Sequence, residues 1–239
     1  MSDSHTDISA CRDADRPHWI AGVEVAIVFI LLLILIWEPW RLAGWKPYAA
    51  YFQTPIFILC GAVVLISWLR AGDRWSSLAI GHDRWLEGVV PLAGFTLVGL
   101  VALALGGLAL NSLSIPKSHV LWLARYIPAL VAQQIALQVF VNNRVYEATS
   151  SMPARQRARI AVAGSTFAFA ALHAPNPWLV VITAIGGAFW TWHFRRYQNL
   201  LGLIVSHLVL GVGALVMLGE GPLLGLRVGW PAMRRLLHM

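Results

Sequence analysis

Charge is what this sequence has least of. Only 12% of its 239 residues are charged, against about 25% in a soluble domain. That scarcity excludes an ordinary water-soluble globule. With 58% hydrophobic residues, the apolar surface exceeds what a core of this size can hide, so lipid must cover the rest. Acids are rarer than bases, 11 Asp and Glu to 18 Lys and Arg, leaving a net charge of +7. The basic residues sit between apolar runs, where they set topology and meet anionic head groups. No basic, aromatic-interleaved groove is present, and nucleic acid is not an expected partner. Cysteine is nearly absent. Cys11 and Cys60 form no C-x-x-C pattern, which argues against a disulfide framework or a thiolate metal site. A signal peptide in the usual form is missing too. The polar Met1–Arg16 segment leads into an apolar run too long for a signal core and without a small-residue cleavage site, so the run reads as a retained first span.

What the chain does have is long apolar runs, with a mean hydropathy of +0.67. The fold class is all-α, a polytopic transmembrane helical bundle of about seven spans. The runs fall at residues 18–37, 52–69, 89–110, 119–141, 160–172, 178–192 and 200–218. Residues 1–17 read as a polar tail, 18–110 as N-terminal membrane helices, 119–218 as a second group and 219–239 as a tail too broken by Gly and Pro to span. The end of that tail, with Arg234 and Arg235, is expected to lie along the membrane surface. The third run is rich in Gly and Ala, which lets helices approach closely. Lys and Arg are more numerous on the side of the N-terminus, so the positive-inside bias places that end in the cytoplasm, in an inner membrane of the bacterial type.

A few polar side chains stand inside these runs, where each is costly unless paired. Glu24 lies near one end of the first run, either as a functional carboxyl or snorkelling to the interface. Gln133, Gln134 and Gln138 share the fourth run. The adjacent pair points about 100° apart, and Gln138 shares the face of Gln134. Interhelical packing glue is the plain explanation; three amides within six residues exceed what packing requires. His173 follows Phe169 by one turn and borders an Ala-Pro-Asn-Pro break. His207 lies well inside the seventh run, one turn before Gly211. His193 reads as interfacial.

The order of these residues resembles the CPBP intramembrane proteases, which include CAAX prenyl proteases and bacteriocin-processing or self-immunity proteins. That family carries E-E-x-x-x-R on one span, F-x-x-x-H on the next and H-x-x-x-N two spans later. Here Gln133-Gln134-Ile135-Ala136-Leu137-Gln138 stands at the first motif, Phe169-Ala170-Ala171-Leu172-His173 matches the second, and His207-Leu208-Val209-Leu210-Gly211 begins the third. The resemblance spans residues 120–218. It implies an intramembrane endopeptidase in which a first-motif glutamate, aided by His173 and His207, activates water, with Phe169, Gln138 and Gly211 at binding or supporting positions. The departures fall on the chemistry. A carboxylate takes a proton from water and a glutamine amide does not. The arginine is Gln138, and the asparagine that would stabilise an oxyanion is Gly211. Glu147 lies roughly 13 Å beyond Gln138 along a helix and would have to fold back to replace the missing acid.

Three readings follow. One is a peptidase acting on a membrane-anchored or lipidated peptide through the histidines and another acid. The second is a relative with reduced or lost proteolysis that binds such a peptide or a membrane-protein partner, as a binding or scaffold subunit. The third is a bis-histidine haem or metal site. No cofactor is expected, with a metal at His173 and His207 left open.

Overall fold

The computed structural model describes residues 17–41, 49–70, 85–113, 119–219 and 222–237. Among them the chain is helical, with no strand. In order, the helices are α1 (Trp19–Trp37), α2 (Ala49–Arg70), α3 (Trp85–Ala109), α4 (His119–Gln134), a π-helical segment (Ile135–Asn142), α5 (Asn143–Ala148), α6 (Ala154–Ala171), α7 (Pro177–Tyr197), α8 (Leu200–Leu218) and the short α9 (Gly229–Leu236). The seven apolar runs thus fall on seven long helical stretches. Four of these helices are long and apolar enough to cross a membrane, at Trp19–Trp37, Tyr51–Arg70, Leu86–Ala109 and Leu200–Leu218. At 19 residues, α1 is about 28 Å long, close to the roughly 30 Å of a bilayer's hydrocarbon.

Local chemistry sets the breaks. The Asn176 side chain accepts the Leu179 N–H at 3.2 Å, and Pro177 follows at the first helical position, so α7 starts there. Asn199 caps α8 in the same way through the Gly202 N–H at 2.8 Å. Each removes one of the unpaired N–H groups of a helix start. Asn176 also donates to the Leu223 carbonyl at 2.8 Å, and the Gly229 N–H donates to the Ala174 carbonyl at 2.7 Å. The described part of the C-terminal region is therefore tied to the turn that follows His173.

Small residues bring the helices close. A Cβ on Gly99 of α3 would meet Leu210 at 2.7 Å, and one on Gly213 of α8 would meet Leu100 at 2.7 Å. Helices α3 and α8 therefore pack with little between them, the contact expected of the Gly- and Ala-rich third run. On α7, a Cβ at Gly187 would lie 3.1 Å from the Phe169 ring. The core around this contact gathers Leu92, Leu137, Val139, Phe169, Trp190 and Leu203.

Glu24 does not snorkel. It is buried and accepts the Ser67 hydroxyl at 2.6 Å. Arg144 of α5 donates to the same hydroxyl at 2.7 Å and stands 3.8 Å from the Glu24 carboxylate. It also pairs with Glu147 at 2.8 Å. This knot joins α1, α2 and α5, and a charge removed from water is retained only where such partners surround it. His193 is fully buried, and its Nε2–H donates to the Gly88 carbonyl at 2.8 Å, linking α7 to α3. Cys60 is a buried free thiol, whereas Cys11, the loop arginines Arg74 and Arg84, and the Pro116-Lys117 break lie outside the described residues.

Candidate functional site

The end of α6, the middle of α8 and the end of α4 meet around one phenylalanine. The Phe169 ring meets the His173 imidazole edge-on at 4.8 Å between centroids and the His207 imidazole edge-on at 5.8 Å. Trp190 of α7 closes the other side of His207, 4.5 Å between centroids. Its indole is fixed in turn, because Nε1–H donates to the Ser206 hydroxyl at 3.1 Å. Ser206 contacts the Thr96 hydroxyl at 2.8 Å, and Thr96 donates to the Leu92 carbonyl at 2.8 Å. The Ser206 and Thr96 hydroxyls both have partners, as buried polar groups require.

The histidines differ in how they are held. His173 donates Nδ1–H to the Phe169 carbonyl at 2.6 Å. A carbonyl only accepts, so neutral His173 keeps a lone pair on Nε2. His207 Nδ1 accepts from the Gln134 amide nitrogen at 2.9 Å, which puts its proton on Nε2. The Gln134 amide oxygen then accepts from the Gln138 amide nitrogen at 3.2 Å. Neither imidazole bond involves a carboxylate. Glu24 and Glu147 are committed to the Arg144 knot, so neither bonds the histidines in place of the missing acid.

The two adjacent glutamines separate as the helical angle requires. Gln134 is fully buried, while Gln133 is exposed and lines a cavity. The π-helical segment begins one residue after Gln134, and Gln138 is buried on it. Such widened turns occur often at functional sites. The cavity has a volume of about 1370 Å³ and a wall that is largely apolar, with Tyr126, Gln133, Arg144, His173, Thr183 and His207 among its polar contributors. The Thr183 hydroxyl is turned back to the Leu179 carbonyl at 2.7 Å. Among the described residues, no group of three or more His, Cys, Asp or Glu converges to hold a metal ion.

Residues 116–212 match the family described as type II CAAX prenyl endopeptidase, Rce1-like. The chain carries an Rce1-like, CPBP-type segment. It spans about two fifths of the chain and contains all seven motif positions from Gln133 to Gly211. No curated protein and no solved structure matches the chain. The apolar helices and this match support an integral membrane protein that carries a CAAX-protease-like segment. Within the segment, the structure brings together Phe169, His173, His207, Gln134 and Gln138, and it sets Gln133 on the cavity wall. Sequence reasoning missed Trp190, Ser206, Thr96 and Tyr126. The first three are legible only as polar atoms in apolar runs, a weak signal. Tyr126 had one further clue, the glycine at 211, whose meaning depends on its neighbours.

Proposed function

We propose that this protein is a CAAX-protease-like membrane protein that binds a lipidated peptide without efficient hydrolysis. The observation that carries this reading is the Gln134–His207 bond, an amide where proteolysis needs an acid. The two imidazoles then offer one acceptor, Nε2 of His173, and one donor, Nε2–H of His207. A peptide amide offers the complement, an N–H and a carbonyl. Held between these groups, it has both polar ends satisfied, which is what lets an amide enter an apolar site at small cost. The apolar wall of the cavity suits the attached hydrocarbon chain. In this reading the protein sits in a bacterial-type inner membrane with its N-terminus in the cytoplasm.

Binding of a fluorescent farnesylated tetrapeptide to the protein in nanodiscs tests the proposal. Saturable binding is expected, weakened at least tenfold by His173→Ala and by His207→Ala, each of which removes one partner of the amide. Binding that ignores both substitutions would sink it.

A further inference from the structure

A cluster of positive charge lies away from the cavity, on the ring of Tyr146 in α5. The Arg157 guanidinium of α6 stands over this ring with its carbon 3.9 Å from the centroid, and the Arg195 guanidinium of α7 stands over it at 3.8 Å. Both being that near one centroid, the two cationic carbons are less than about 8 Å apart and repel each other in a half-buried setting. Their hydrogen bonds go to neutral groups. Arg157 Nε–H donates to the Tyr146 carbonyl at 3.1 Å, and Arg195 Nη1–H donates to the Asn143 amide oxygen at 3.2 Å. Glu147, next to Tyr146, pairs with Arg144 at 2.8 Å, and residues 148–219 contain no Asp or Glu. Each guanidinium carries five N–H donors, so most of those on Arg157 and Arg195 are left for an anion. None of these three side chains lines the histidine cavity.

We infer that Arg157 and Arg195, held on Tyr146, form a binding site for the phosphate of an anionic phospholipid. Phosphate oxygens accept N–H···O bonds of about 2.8 Å, so one phosphate bridges two guanidinium carbons up to about 8 Å apart. The planar fork of arginine suits a phosphate, and stacking on an aromatic face orders it before the ligand arrives. Position selects a lipid over a soluble anion. Arg157 lies three residues before the apolar run 160–172 of α6, and Arg195 three residues after the run 178–192 of α7. Both therefore stand at the level of the head groups. Trp192, exposed on α7 at that boundary, is of the residue type that favours the interface. The ring turns two of the topology-setting arginines into one preorganised site, whereas the exposed Arg155, Arg159 and Arg196 supply only a diffuse field.

The test uses the full-length protein in detergent, offered phosphatidylglycerol and phosphatidylcholine of one chain length in equal amounts. Native mass spectrometry counts the lipids retained in about 0.2 M ammonium acetate, which screens the diffuse attraction. The wild type should retain one phosphatidylglycerol in preference, because no choline offsets its phosphate charge. Arg157→Gln and Arg195→Gln should each weaken that binding about tenfold or more, the effect of a lost charge-assisted bond. Arg155→Gln and Arg159→Gln should change it less than about threefold, as exposed charges do. Tyr146→Leu, which removes the ring, should match the Arg157 and Arg195 variants. A wild type without the preference overturns the site. So do exposed-arginine variants that lose as much as the stacked ones, or a Tyr146→Leu protein that loses nothing. Displacement of the lipid by millimolar inorganic phosphate overturns the lipid assignment, since the site then takes a free anion.

Discussion

Replacing Gln134 with leucine while leaving its neighbour alone probes how the site is built. Gln134 spends its nitrogen on His207 Nδ1 and its oxygen on Gln138. Leucine has a similar volume and no polar atoms. Gln134→Leu therefore leaves two buried groups, His207 Nδ1 and the Gln138 amide nitrogen, without these partners. Each stranded group costs about 1–3 kcal/mol, so the loss is about 2–6 kcal/mol. For a chain of this size, 1 kcal/mol moves the melting midpoint by about 2–4 °C, which puts the expected fall at roughly 5–20 °C. Gln133→Leu is the control. Gln133 is exposed on the cavity wall, and a surface change of that kind stays within about 0.5 kcal/mol. Thermal unfolding in detergent, followed by tryptophan emission, measures both. A Gln134→Leu protein that melts with the wild type, or a Gln133→Leu protein that falls as far, would refute the placement of the two glutamines.

Further outcomes follow from other contacts. Arg144→Met leaves Glu24 and Glu147 without their cation and should cost about 3–5 kcal/mol, with partial recovery when Glu24→Gln is added; a double-mutant cycle of melting midpoints measures it. Gly187→Val forces atoms onto the Phe169 ring, already 3.1 Å from a Cβ at that position, and should destabilise by about 1–3 kcal/mol in the same assay. Asn176→Ala removes the α7 cap and the Leu223 contact, and should cost about 1–2 kcal/mol, with faster amide exchange in the first turn of α7.

The fold was legible because hydrophobic runs long enough to cross a bilayer are a strong local signal, and each run from Trp19 to Leu218 lies on a helix. The helical period also separated Gln133 from Gln134 and joined Gln134 to Gln138, since angle and rise follow from the backbone alone. The motif order brought Phe169, His173 and His207 into one expectation, and they do share one ring contact. What stayed hidden depends on the third dimension. Glu24 looked free to snorkel because nothing in its own run shows Ser67 and Arg144 arriving from two other helices. The residues beside His193, Arg195 and Arg196 among them, gave no sign of its bond across to Gly88 on another helix. Tyr126 attracted no notice because its hydroxyl meets α8 where Gly211 has no side chain, a closeness visible only once the two helices are packed.

Binding without hydrolysis is tested most directly by the fate of a bound peptide. The purified protein in nanodiscs is incubated with the farnesylated tetrapeptide and the products are analysed by mass spectrometry over hours. On this reading the peptide should stay uncleaved with the wild type, as it does with His173→Ala and with empty nanodiscs. Steady release of a cleaved peptide by the wild type, abolished in His173→Ala, would contradict it.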